Sequence, residues 1–230
     1  MSRPVVDDEI AETGRAGIRW WMVALAILAI AGVAFAVGRF STFSAAGPLT
    51  PGDASAEAGF SRDMQAHHAQ AIQMAMEIYR KTEDEELRVL SYDIATGQAG
   101  QRGEMYDWLV QWGLSQSGGP MMAWMDASGD EHGHGAASGD DLTDAEAHAA
   151  MGMATDAELA ALQNATGAEA DCLFLDLMIR HHEGAIPMAE AVIDLGSEPR
   201  VLDVAGSIVA GQSAEIEAMR AISARLGCAG

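Results

Sequence analysis

The sequence is poor in the features that most often betray a function. Of its 230 residues only two are cysteines, Cys172 and Cys228, which stand 56 positions apart and not in the close pairing of zinc-binding motifs. Positive charge is scarce: 13 Lys and Arg stand against 34 Asp and Glu, a net charge of -21. Such a surface repels nucleic acid and anionic lipid headgroups and gathers cations, which excludes a DNA- or RNA-binding role. No segment of useful length alternates apolar and polar residues as a strand would. Catalytic signatures are missing too. There is no Gly-x-Ser-x-Gly and no phosphate loop, and His182-Glu183 is not followed by the second histidine of a zinc protease. Neither of the two repeats, 60–113 and 174–227, carries the Glu-x-x-His of di-iron bundles.

What the chain does have is a duplication. Phe60-Ser-Arg-Asp-Met64-Gln-Ala-His67-His68-Ala-Gln-Ala71-Ile72-Gln-Met74-Ala75 returns as Phe174-Leu-Asp-Leu-Met178-Ile-Arg-His181-His182-Glu-Gly-Ala185-Ile186-Pro-Met188-Ala189, 114 residues later. The same offset pairs Ile94 with Ile208, Gln98 with Gln212, Met105 with Met219 and Gly113 with Gly227. Four of the seven histidines lie in this matched core, which makes it the first place to look for a site.

Before the repeats, Trp20 to Val37 is an apolar run of 18 residues between Arg15 and Arg19 on one side and Arg39 on the other. That length can cross a bilayer, tandem Trp20-Trp21 suits its interface, and the arginines favour a cytoplasmic N-terminus. A cleaved signal peptide ending near Ser44-Ala45-Ala46 is the competing reading. The expected organisation is a tail (1–19), a membrane anchor or signal sequence (20–38), a tether (39–58) and an extracytoplasmic domain (59–230). In that oxidising setting Cys172 and Cys228, at the start and just past the end of the second repeat, would meet if the repeat is a helical hairpin.

Within each repeat the apolar residues follow the 3.6-residue period of a helix. The first predicts helices from Phe60 to about Arg80 and from Glu85 to Trp112, with Thr82 as N-cap of the second and Gly113 as its stop. The second predicts Phe174–Leu195 and Arg200–Leu226, closed by Gly227, with Pro187 as a local objection inside the first of these. The fold class expected is all-α: an antiparallel four-helix bundle built from two hairpins (60–113 and 174–227). Residues 114–173 form a Met- and His-rich linker, the segment expected to move most, with a short capped helix at Asp156–Asn164.

Met64 and Met74 put thioethers on the face of the His67-His68 pair, with Met105 opposite Met64, and Met178, His181, His182, Met188 and Met219 repeat the arrangement. Adjacent histidines point about 100° apart, so at most one of each pair faces the bundle centre. Counting back from each turn puts Gln98 and Gln101 opposite the first histidine pair, and Gln212 and Glu215 opposite the second. Two readings compete. In one, the amides satisfy the imidazoles and the methionines fill core gaps. In the other, imidazoles and thioethers bind a soft metal while Gln98, Gln101, Gln212 and Glu215 orient the rings. The linker adds Met121, Met122, Met125, His132, His134, His148, Met151 and Met153, as further ligands or merely as part of a spacer. Thioether with imidazole and without paired cysteines selects copper, Cu(I) above all. Imidazole ligation of this kind should weaken as pH falls through about 6.5.

The string Met-x-x-His-His-x-x-Ala-Ile-x-Met, with Gln212-Ser-Ala-Glu215 and Met151-Gly-Met153, resembles the family called domain of unknown function 305 over nearly all of 60–227. The first repeat departs from it, with Ala69-Gln70 where the second has Glu183-Gly184. The resemblance implies a ferritin-like domain that holds copper through Met64, His67, His68, Met74, Met178, His181, His182 and Met188. Together these features predict a membrane-anchored, extracytoplasmic copper-binding protein that sequesters the ion or hands it to an unidentified acceptor, with no catalytic residues. A metal-free envelope scaffold and a ferritin-like iron enzyme are the alternatives, and secretion after signal cleavage is the alternative to anchoring.

Overall fold

The computed structural model describes residues 20–43, 50–128 and 142–228 in two compact units that divide at Thr50. Unit one contains a single helix, α1 (Trp20–Phe43), and its described side chains are exposed along the helix. The helix runs past the 20–38 span expected for the anchor. Among the described residues no helix is long and apolar enough to cross a membrane.

Every regular element among the described residues is helical. Unit two contains α2 (Ala56–Lys81), α3 (Glu85–Trp112), a 3-10 turn (Ala123–Ser128), α4 (Asp144–Ala150), α5 (Asp156–Asn164), α6 (Gly167–Leu195) and α7 (Pro199–Leu226). α2 pairs with α3 and α6 with α7, giving two hairpins, and α2 packs on α6 to join them.

The helix ends follow from local chemistry. Ser55 caps α2 by accepting the Ala58 N–H at 3.2 Å, so the helix starts before Phe60. Thr82 is not the N-cap of α3; it closes α2, and Asp84 caps α3 by accepting the Leu87 N–H at 3.0 Å. A carboxylate there also favours the positive end of the helix dipole, an advantage over a hydroxyl. Gly113 and Gly227 end α3 and α7 with φ of 69° and 71°, a left-handed geometry that glycine adopts without a Cβ clash. Thr155 and Glu158 form the capping box that opens α5. α6 continues through Pro187 and begins at Gly167, well before Phe174.

The hairpins are tied at both ends. Glu57, on α2, accepts the Ser197 and Glu198 N–H groups at 2.7 and 3.2 Å and so caps α7 of the other hairpin. Burial pushes its carboxyl up, but those N–H groups outweigh this and hold it below its usual range. Lys81 donates to the carbonyls of Leu162 and Ala165 at 2.9 and 3.2 Å, stopping α5 against the end of α2. The sulfurs of Cys172 and Cys228 are bonded, closing the second hairpin across its open end.

Two apolar clusters fill the interior, and their membership reveals the crossing. Residues after His67 (Ala71, Met74, Ile78) cluster with residues before His181 (Ala170, Phe174, Met178). Residues before His67 (Ala56, Phe60, Met64) cluster with residues after His181 (Ala185, Met188, Val192). α2 and α6 therefore run antiparallel and cross at the histidines. Burying each Leu, Met or Phe side chain in these clusters is worth about 1.5–3 kcal/mol.

Candidate metal centre

At the crossing the rings of His67 and His181 face each other with centroids 3.6 Å apart and planes inclined by 33°. His68 and His182 stand outside this pair, 6.4 and 6.2 Å from their chain neighbours. All four imidazoles are fully buried. The offset of the sequence repeat reappears as a pseudo-twofold relation between contacts. His68 Nε2 lies 2.8 Å from Gln101 Oε1, and His182 Nε2 lies 2.7 Å from Glu215 Oε2.

These contacts fix the tautomers. A carbonyl, amide oxygen or carboxylate can only accept, so His68 donates Nε2–H to Gln101, and His182 donates Nε2–H to Glu215. His67 likewise donates Nε2–H to the Met151 carbonyl at 2.9 Å. In a neutral ring the lone pair then sits on Nδ1, and the Nδ1 atoms of all four histidines are buried without a partner. His181 has neither nitrogen paired. A histidine tied at one nitrogen and bare at the other is the arrangement in which proteins present imidazole to a metal.

Burial keeps the rings of His67, His68 and His181 uncharged. Desolvation is the largest influence, with repulsion from neighbouring histidines adding to it. It lowers His67 to about 3 despite the Met151 carbonyl, and His68 to about 4 despite Gln101. His181 falls well below its ordinary value for the same reason.

Gln98 and Gln212 form no hydrogen bond with the histidines. The imidazole contacts go to Gln101 and Glu215, one turn further along α3 and α7. Both remaining glutamines are buried, 4% and 3% exposed, and both amides lack any partner.

The methionines are also regrouped. Met64 and Met105 cluster with Met188 of the second hairpin, and Met178 and Met219 with Met74 of the first. The twofold relation is kept, but each set draws on both hairpins, because the antiparallel crossing brings the end of one motif beside the start of the other.

The described parts of the linker are folded onto this core. Met151 is fully buried and Met153 nearly so, while Met121, Met122 and Met125 are partly exposed against the same cluster as Met64. His148, in the last turn of α4, lines a cavity of about 530 Å³ with Gln70, Met153, Glu158 and Arg180, away from the other histidines. His132 and His134 lie outside the described residues.

Sequence reasoning missed how the linker crosses the site, though a signal was present at Ala69-Gln70 and Glu183-Gly184, where the repeats diverge. A Cβ on Gly184 would overlap the Met151 carbonyl, so glycine there lets the linker backbone lie directly on α6. At the matching position Gln70 instead holds the linker by both amide atoms, donating to the Ala154 carbonyl at 2.9 Å and accepting the Ala154 N–H at 2.6 Å. Gly152, at φ 68° with Arg180 against it, completes the strap.

Among the described residues no three His, Cys, Asp or Glu side chains already stand together as a metal site. An ion held at the crossing would therefore combine imidazole Nδ1 with thioether or amide donors, and those are the groups the core supplies.

With this geometry in view, a family model described as "Domain of unknown function (DUF305)" matches residues 57–223. A presumed secreted DUF305 protein of Streptomyces coelicolor is 36% identical, with a TM-score of 0.65 over 77% of this chain and 96% of its own. A DUF305 fragment from Deinococcus radiodurans is 30% identical, with a TM-score of 0.60 over 74% and 96%. The protein CopM in its Cu(II)-bound form is 29% identical, with a TM-score of 0.54 over 74% and 97%. In its Cu(I)-bound form the values are 26%, 0.53, 74% and 96%. No curated protein matches by sequence.

Proposed function

We propose a copper-binding role for this chain, which belongs to the DUF305 family. The observation that carries it is the concentration of unpartnered donors around the α2/α6 crossing. Nine buried nitrogen and oxygen atoms, on His67, His68, His181, His182, Gln98 and Gln212, have no hydrogen-bond partner. A buried polar group left unpaired costs about 1–3 kcal/mol, so such a layer is unfavourable unless something occupies it. Neutral imidazole beside thioether, without thiolate, suits copper and Cu(I) above all. The copper-bound forms of CopM support the same choice.

In this reading copper is cargo. His67, His68, His181 and His182 offer Nδ1, the sets Met64/Met105/Met188 and Met178/Met219/Met74 offer sulfur, and Gln101 and Glu215 orient the outer rings. The four long helices act as a ferritin-like bundle from a duplicated hairpin. The chain works outside the cytoplasm as a sequestering protein or carrier, giving up the ion by ligand exchange, and no residue is assigned a catalytic step. The anchor reading rests on the sequence, on the apolar run Trp20–Val37 with Arg15, Arg19 and Arg39 flanking it.

Anaerobic titration of Cu(I) into residues 41–230 against a competing chelator tests the role. Binding in competition with the chelator is expected, with a loss of at least tenfold in affinity in the His67→Ala/His181→Ala variant. Equal affinity in that variant would sink the idea. Thermal stability indifferent to copper would favour the metal-free scaffold instead.

A further inference from the structure

We propose that the 121–125 turn is an outer thioether site, a surface port through which a soft monovalent cation enters the bundle, positioned by Asp63. The inference rests on the copper-binding reading and adds the place of entry. The duplication gives each end of the core three equivalent thioethers, Met64/Met105/Met188 and Met178/Met219/Met74. The linker then adds five to one end only. Two of these, Met151 and Met153, are buried and act as core filling. Filling does not account for Met121, Met122 and Met125, which remain partly exposed on the outside of that cluster.

Nor does it account for their backbone. Met122 has a φ of 65°, the only left-handed non-glycine among the described residues, a conformation that costs about 1–2 kcal/mol for a residue with a Cβ. The turn is held there by a buried carboxylate. Asp63, 7% exposed on α2, accepts the Met122 N–H and the Trp124 Nε1–H, both at 2.8 Å. Gly59, one turn earlier, leaves room for the indole, which a Cβ would overlap. Met125 N–H donates to the Met122 carbonyl at 2.9 Å. The 3-10 turn that follows, Ala123–Ser128, thus starts directly after Met122.

The resulting donor set is neutral and soft, because the Asp63 oxygen nearest the turn is taken up by two N–H groups. That favours a monovalent soft ion over hard divalent ones. Met64, Met105 and Met188 belong to the cluster against which the turn packs, which gives the ion thioethers to exchange onto as it moves inward, and the net charge of -21 concentrates cations at the surface.

The test uses the full chain in detergent micelles with Ag(I) as a redox-silent probe, read by methionine methyl NMR and equilibrium titration. Methyl signals of Met121, Met122 and Met125 are expected to shift in the wild type. The Met121→Leu/Met122→Leu/Met125→Leu variant should bind one fewer Ag(I) and load the histidine layer at least tenfold more slowly. Asp63→Asn should require about tenfold more Ag(I) to shift the turn methyls, with occupancy of the histidine layer unchanged. An unchanged stoichiometry and loading rate in the triple variant overturns the port, as do wild-type turn methyls that stay still to saturation, a reading that needs no variant to fold. Loss of ion from His67→Ala/His181→Ala with nothing lost from the turn variant refutes the port alone. Turn shifts with no ion at the histidines refute only the role proposed for the crossing.

Discussion

His67 and His181 meet ring to ring at 3.6 Å although 114 residues separate them, and their backbone environments differ. His67 donates to the Met151 carbonyl, while His181 has no partner at either nitrogen. The two rings are equivalent by duplication and unequal by structure.

Stability of the metal-free protein should fall as pH is lowered. His67 and His68 are held at about 3 and about 4, and His181 well below its ordinary value, while the unfolded chain titrates near 6.5. Below that pH the unfolded state binds more protons, so the stability these neutral rings allow is lost as pH drops from about 6.5 toward about 4. Three rings give a slope of up to about 4 kcal/mol per pH unit. Urea midpoints of the apo protein measured between pH 7.5 and 4.5 check this, and a flat profile would contradict the burial of the rings. The sequence alone led to weakening of metal ligation near pH 6.5. With the folded rings neutral to about 4, proton competition at the ligands should begin well below that, and early loss of copper should track unfolding.

Replacing Gln98 or Gln212 by Leu should leave the apo protein as stable or raise its Tm by a few degrees, because an unpaired buried amide is removed from an apolar setting. Copper affinity should drop about tenfold in the same variants if these amides face the ion. Calorimetry with and without copper separates the two effects, and a large fall in apo Tm would mean that the amides are satisfied in the native core.

Much of this was legible from residue spacing. Gly113 and Gly227 marked helix ends, and Thr155 with Glu158 marked a capping box. The hairpins were legible because their contacts are local. What could not be read was non-local. Met74 joins Met178 only because α2 and α6 are antiparallel, and nothing in either helix encodes that crossing angle. Asp63 looks like any surface acid on a helix until Trp124, 61 residues away, folds onto it. Thr82 and Asp84 both suit an N-cap, and the choice turned on where α2 ended.

Gly184→Ala should destabilise the fold by about 2–4 kcal/mol, since the added Cβ must displace the Met151 carbonyl and with it the bond to His67. Gly97→Ala is the matched control. A Cβ there meets nothing, so helix propensity alone should add about 0.5–1 kcal/mol. Chemical denaturation of the two variants checks the contrast, and similar effects from both would show that the strap is loosely held.

Cys172→Ala/Cys228→Ala should cost about 4 kcal/mol, the loop-closure entropy for residues 56 apart in sequence. Because the bond encloses only the second hairpin, amide exchange should speed up in α6 and α7 more than in α2 and α3. Uniform acceleration across all four helices would mean that the hairpins unfold as one unit.

The strap over His67 has a last consequence, for the order of events. A chain that links two duplicated hairpins can pass over their shared axis on one side only, so the copies were bound to become unlike once Gly184 let it settle. On the copper-binding reading proposed above, two donor sets born identical would thus acquire different microscopic constants. Filling should be stepwise, with His181, already free at both nitrogens, occupied first and the ring under the strap second.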